Sequence, residues 1–213
     1  MIDLSIKNET AFINLHPEHK FNILEPSAIR ELYEKIKTLY DSPAKVIRIT
    51  GHGGSFAVGA NIKTMLTYSG YTAKGFSQLG NKLFGLMDNI PQIIIAEIDG
   101  FCMGGGMDFA ASCDFRFATK TSKFAHPGAK LGIITGFGGT QRISRLMKDS
   151  YFTSLIISGE TCTAEFMKEG EFITEVFNTK ESMQQYTEMF TKAIVNKNRL
   201  FLNELKTLIN KQR

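Results

Sequence analysis

Glycine placement constrains this chain more than any other feature. Of its 213 residues, 19 are glycine, and they cluster at 51–59, 100–106 and 128–139. The first two clusters directly follow apolar, β-branched runs at 46–50 and 92–98, whose length suits buried strands. Glycine gives up the most backbone entropy on folding and offers no side chain to pack. Clusters of it therefore mark sharp turns or places where the backbone approaches something closely. Strand ends of this kind, opening into helices, can turn free main-chain N–H groups toward a ligand.

The remaining pattern reads as alternating strands and helices. Residues 3–7 and 10–15 alternate as two short strands around a turn at Asn8-Glu9. Pro26-Ser27 opens a helix with Ile29, Leu32, Ile36 and Leu39 at helical spacing, ending before Ser42-Pro43. A second helix covers 74–89 and is closed by Pro91. Residues 115–118 and 123–125 read as short strands, 141–148 and 151–158 as helices, and 182–211 as almost wholly helical. This order argues for an α/β fold. With no linker, repeat or low-complexity tract, a single domain is expected, made of a core at 1–180 and a helical segment at 181–213.

Composition excludes several function classes. At 43% hydrophobic and 22% charged, the chain reads as a soluble globular protein with a sizeable core. Its net charge of +4 sits late, in Lys192, Lys197, Arg199, Lys206, Lys211 and Arg213, and reads as a solvated helix face, not a nucleic-acid stripe. Cys102, Cys113 and Cys162 fit no metal-ligand spacing and suggest buried thiols in a reducing compartment. His16 and His19 lack a third ligand, so no metal is expected. The start, Met1-Ile2-Asp3-Leu4, carries no secretory signal, and no apolar run reaches bilayer length. A cytoplasmic protein with no membrane partner is expected.

Two strand-to-loop junctions carry the chemistry. One is Gly53-Gly54-Ser55-Phe56-Ala57-Val58-Gly59-Ala60-Asn61-Ile62; the other is Asp99-Gly100-Phe101-Cys102-Met103-Gly104-Gly105-Gly106-Met107-Asp108. Two N–H donors from different loops can clasp one carbonyl oxygen and stabilise negative charge that develops there. Asp108 follows on the new helix, placed to take or deliver a proton. Nucleotide fingerprints are absent: neither Gly51-His52-Gly53-Gly54 nor Gly136-Phe137-Gly138-Gly139 has the required spacing. Gly53-Gly54-Ser55-Phe56-Ala57 lacks the closing glycine of a nucleophile elbow.

The run from Ala96 to Asp108, then Cys113-Asp114, then Gly138-Gly139-Thr140-Gln141-Arg142, resembles the crotonase (enoyl-CoA hydratase/isomerase) superfamily, and Phe56-Ala57-Val58-Gly59-Ala60-Asn61-Ile62-Lys63 looks like that family's first oxyanion segment. The resemblance covers residues 13–175. It implies a spiral of ββα units with a helical C-terminal segment, shortened at the C-terminus. It also implies an acyl-CoA or acyl-carrier thioester as substrate, with no further cofactor, and assembly as a homotrimer or hexamer. By the same resemblance Ala60 and Gly105 supply the oxyanion N–H groups and Asp108 the acid. Lys20, Phe21, Ala57, Gly59, Asn61, Ile62, Lys63, Gly104, Pro127 and Gly128 fall at substrate-binding positions, with Lys20 and Lys63 near the CoA phosphates.

Hydratases of that family carry two glutamates. Here the first position is Asp108 and the second, after Pro127, is Gly128; Gly136, used as an acid position in dienoyl-type isomerases, is also bare. Hydration needs one group for water and one for carbon, whereas a proton shift between two carbons can use one base. Double-bond isomerisation in fatty acid metabolism is therefore expected over hydration. A decarboxylase of an acyl-CoA or acyl-carrier thioester is the alternative, as is a non-catalytic subunit that binds thioesters. His126, beside Pro127, is either a structural histidine or a stand-in for the missing glutamate. Thr135 either satisfies its loop or positions substrate. Glu97, on a central strand, needs a buried partner, for which Arg116 is a candidate.

Overall fold

The computed structural model describes residues 1–18 and 20–212. In chain order the elements are β1 (Ile2–Lys7), β2 (Thr10–Leu15), α1 (Pro26–Thr38), β3 (Val46–Gly51), β4 (Ser55–Ala57), α2 (Ile62–Met65) and α3 (Gly70–Asn89). There follow β5 (Ile93–Ile98), β6 (Phe101–Met103), α4 (Gly105–Ala111), β7 (Phe115–Thr119), β8 (Lys123–Ala125), α5 (Gly128–Leu131) and α6 (Gly139–Arg142). The chain continues through α7 (Asp149–Ser158), β9 (Cys162–Thr163), α8 (Ala164–Glu169), β10 (Glu175–Phe177), α9 (Lys180–Val195) and α10 (Arg199–Gln212).

Six strands form one sheet in the order β1-β2-β3-β5-β7-β10, and four form a second in the order β4-β6-β8-β9. Among the described residues, only the hairpin β1–β2 and the pair β8–β9 are antiparallel. The hairpin turns through Asn8 and Glu9, both at positive φ, which matches the twist of its strands. Each of β3, β5 and β7 runs into a short strand of the second sheet and then into a helix, so the chain winds as successive ββα units. Because β3, β5 and β7 are parallel neighbours, the short turns that follow them emerge side by side. That brings the glycine loops together.

The large sheet is covered on both faces, as its nearly continuous apolar strands require. One face packs on Ile29, Leu32 and Ile36 of α1 and Leu83, Phe84 and Met87 of α3. The other carries Val46, Ile95 and Phe117 against Met183 and Ile194 of α9 and Leu202 of α10.

Several sequence expectations need correction. The helix expected at 141–148 stops at Arg142: Leu146 N–H turns back to Ile143 O (3.0 Å) and Lys148 N–H bonds Gly170 O (3.0 Å), ending the α-helical ladder. Helix α3 starts at Gly70, earlier than residue 74, because the Ser69 side chain caps it by accepting from Thr72 N–H (3.2 Å). Glu97 pairs with Arg48 (Nε to Oε1, 2.6 Å), a diagonal neighbour on β3 that is in register with Ile95. Arg116 instead donates to the Phe172 and Cys113 carbonyls. Burial holds the Glu97 carboxyl above its ordinary pKa even so. Cys102 and Cys113 are buried, and burial pushes both thiols away from the reactive thiolate, but Cys162 is half-buried. His16 pairs with Asp3 (2.9 Å) and stacks on His52, whereas His19 and Arg213 lie outside the described residues.

The late positive charges do not all face solvent. Lys206 is 5% exposed, and its ammonium reaches Gln92 O (2.8 Å), Met87 O (3.1 Å) and the Asp114 carboxylate (2.9 Å). Arg199 donates to Ser42 O and Tyr40 O, both at 2.6 Å. These bonds tie α10 to the ends of α1, α3 and β5. Lys206→Met would strand the part-buried Asp114 charge and lose three acceptor contacts. We expect a loss of roughly 3–5 kcal/mol in denaturant unfolding; a loss under about 1 kcal/mol would show that α10 is held by its apolar side alone.

Candidate active site

The two glycine loops meet at van der Waals limits. A Cβ on Gly59 would lie 2.8 Å from Gly105 N, and one on Gly106 would lie 2.0 Å from Ala57 O. Gly59 also sits at φ +78°, which disfavours any other residue. The loop before α2 is anchored from outside, since Leu24 N–H donates to Gly59 O (2.8 Å) and Val58 N–H to Asn22 O (2.9 Å). Asn61 closes it by accepting from Lys63 and Thr64 N–H as the cap of α2. The other loop ends in Gly104 at φ +49°, from which α4 begins at Gly105.

Neither Ala60 N–H nor Gly105 N–H has an acceptor among the described residues. Both residues line one cleft of about 340 Å³. Gly105 is the first residue of α4, where N–H groups go unbonded within the helix. Ala60 precedes the cap of α2, so its donor comes from the loop and not from a helix start, as the sequence had suggested.

The rest of the cleft is mainly apolar, Ser77, His126 and Thr135 apart. Met65, Tyr68, Phe76, Leu131, Ile133, Ile134 and Phe137 wall it, with Phe137 packed edge-on to Phe76 and Phe84. Gly80 of α3 makes room for the Phe137 ring, which a Cβ there would meet at 2.3 Å. Low dielectric in such a cleft strengthens any polar contact made inside it.

Asp108 is fully buried behind this wall and does not itself line the cleft. Its Oδ1 lies 3.1 Å from His126 Nε2, and its Oδ2 accepts from the Thr135 hydroxyl. His126 and Thr135 both line the cleft. Gly139 completes the enclosure, for a Cβ there would lie 1.9 Å from Asp108 Oδ1. His126 stands next to Asp108 because β8 ends beside β6, from which α4 departs, and Gly104 N–H bonds Ala125 O (2.8 Å). Sequence reasoning named all three residues but could not join them: Asp108 and His126 are 18 apart, and nothing in either motif announces the contact.

Gly128 is bare for a physical reason. A Cβ there would lie 2.3 Å from Ile133 O, and Ile133 N–H closes the same loop onto Gly128 O (2.9 Å). The loop as folded leaves no room for an acidic side chain. Of the other expected positions, Gly59, Ile62, Gly104, Pro127 and Gly128 line the cleft with Ala60 and Gly105. Ala57 is buried beneath it, supplying the carbonyl that Gly106 packs on. Asn61 is a cap, Lys20 lies over the Phe21 ring (5.1 Å), Phe21 packs edge-on to Phe101, and Lys63 is exposed; none of these five lines the cleft.

A sequence profile described as enoyl-CoA hydratase/isomerase matches residues 5–213. A crotonyl-CoA hydratase of Syntrophomonas wolfei is 34% identical over 166 residues, which span 77% of this chain and 64% of that one. A short-chain-enoyl-CoA hydratase of Clostridium acetobutylicum is 31% identical over 195 residues, spanning 91% of this chain and 75% of that one. The crystal structure of an enoyl-CoA hydratase from Bacillus anthracis superposes with a TM-score of 0.92 at 24% identity, covering 98% of this chain and 81% of that one. That likeness establishes the fold.

The close approach of the loops is testable. Gly106→Ala drives a methyl into a backbone carbonyl that cannot rotate away. We expect it to cost about 1–3 kcal/mol in thermal or chemical unfolding. Wild-type stability would mean that the loops are not pinned as described.

Proposed function

The chain belongs to the enoyl-CoA hydratase/isomerase family, and from that premise we propose that it shifts double bonds in acyl-CoA thioesters through an enolate. The observation that carries this reading is the pair of acceptor-free N–H groups, Ala60 and Gly105, in the wall of one apolar cleft. A thioester oxygen between them would become an oxyanion held by donors fixed before reaction, an arrangement in which one donor contributes roughly 10²–10³ in rate. The apolar wall suits the acyl chain, and Lys20 and Lys63 stay outside the cleft where CoA phosphates would remain in water.

Isomerisation is favoured over hydration because the site holds one carboxylate. Asp108, with the His126 ring it contacts, is the acid–base centre of this reading, and the position after Pro127 cannot hold a second acid without moving the 128–133 loop. Removing a proton at one carbon and returning it to another needs only one such centre; activating water while protonating carbon needs more. The full burial of Asp108 supports a second reading: decarboxylation, in which loss of carbon dioxide generates the enolate without a base.

A panel of CoA thioesters separates these readings. We expect 3-enoyl-CoA to be converted to 2-enoyl-CoA faster than 2-enoyl-CoA is hydrated, and Asp108→Ala to lower that rate by about 10²–10⁴ while thioester binding persists. Faster hydration would overturn the preference for isomerisation. Release of carbon dioxide from a 2-carboxyacyl-CoA, undiminished by Asp108→Ala and without isomerisation of 3-enoyl-CoA, would move the assignment to decarboxylation, and binding without turnover to a non-catalytic subunit.

A further inference from the structure

Asp108 has no surface in the cleft, so a substrate there would meet its neighbours first. Of these, Thr135 donates its hydroxyl proton to Oδ2 and takes no part in acid–base exchange near neutrality. His126 is different. Its side chain is 8% exposed and the residue lines the cleft, with Nε2 on Asp108 Oδ1 at 3.1 Å. In the tautomer that donates from Nε2 to Oδ1, Nδ1 keeps the lone pair. Nδ1 lies on the Gly128 side, 3.8 Å from where a Cβ on that cleft-wall residue would sit. Among the described residues it has no hydrogen-bond partner. A carboxylate behind an imidazole fixes its tautomer and stabilises the imidazolium once a proton arrives.

We infer that His126 is the catalytic base and acid of this site, with Asp108 as its positioning residue; this rests on the enolate chemistry proposed above. The Nδ1 lone pair takes the α-proton of a 3-enoyl thioester. The C–H electron pair becomes a carbon–carbon double bond to the thioester carbon, and the carbonyl π pair moves onto oxygen between Ala60 and Gly105. The imidazolium, paired with Asp108, then returns the same proton to the γ-carbon. As it does so the oxygen pair re-forms the carbonyl and the double bond comes to rest between the α- and β-carbons. No proton is gained or lost overall. The missing acid after Pro127 is thus answered by the residue before it.

The test measures exchange of α-protons of butyryl-CoA in deuterium oxide alongside isomerisation of 3-enoyl-CoA. His126→Gln keeps an N–H for Asp108 but accepts no proton, so both rates should fall by about 10²–10⁴ with KM little changed. His126→Ala should recover part of both rates with added imidazole, which a purely structural histidine would not allow. Asp108→Asn should lower kcat at similar KM without imidazole rescue. Circular dichroism and thermal unfolding check each variant; should His126→Ala not fold, His126→Gln decides. Wild-type rates in His126→Gln, with exchange abolished in Asp108→Ala, would overturn the proposal and make Asp108 the direct base. If the wild-type protein binds the thioesters but neither exchanges nor isomerises them, the enolate reading fails first and takes this proposal with it.

Discussion

The structure depends on the contact between two stretches of backbone, the loop 57–60 and the start of α4. Side chains normally keep main chains apart. Here Gly59 and Gly106 omit the Cβ atoms that would hold these stretches off, atoms that would lie 2.8 Å from Gly105 N and 2.0 Å from Ala57 O. The fold makes the encounter unavoidable, since β3 and β5 are adjacent parallel strands whose continuations β4 and β6 pair in the second sheet. The glycines make it tolerable. What results is two N–H groups from separate stretches in one cleft wall, each without an acceptor among the described residues.

Leaving polar groups unpaired in an apolar wall costs stability. Burying Asp108 costs more, and is offset by its contacts with His126 and Thr135 and by its place in the first turn of α4. Structures that carry such costs in a cleft usually do so where chemistry is done. Gly128 fits the same account: its loop turns back on itself through Ile133, and the space a second acid would need is filled by a carbonyl. In the function proposed for this chain, the proton chemistry therefore rests on the Asp108–His126 pair and not on two separated carboxylates.

Much of this was legible in the sequence. Strands β2, β3 and β5 and helices α1 and α3 announce themselves by long apolar periodicity, and the glycine loops by composition. The second sheet was less legible because its strands are two or three residues long, too short for alternation to register. Lys206 misled for another reason: on a helix with Lys211 and Arg199 it looks like a solvated charge, and only the tertiary placement of Asp114 and the Gln92 carbonyl draws it inward. Glu97 was seen to need a partner, but the choice of Arg48 over Arg116 depends on strand register. His126 was a candidate without a mechanism until the contact across 18 residues supplied one.

In the proposed function, two backbone donors polarise a thioester carbonyl. Infrared difference spectra of bound butyryl-CoA, carrying carbon-13 or carbon-12 at the carbonyl, isolate that one bond. If the carbonyl sits between Ala60 and Gly105, its stretch moves to lower frequency on binding. The shift should persist in Asp108→Asn, whose side chain does not touch the oxygen. A bound carbonyl that absorbs where the free thioester does would contradict the account.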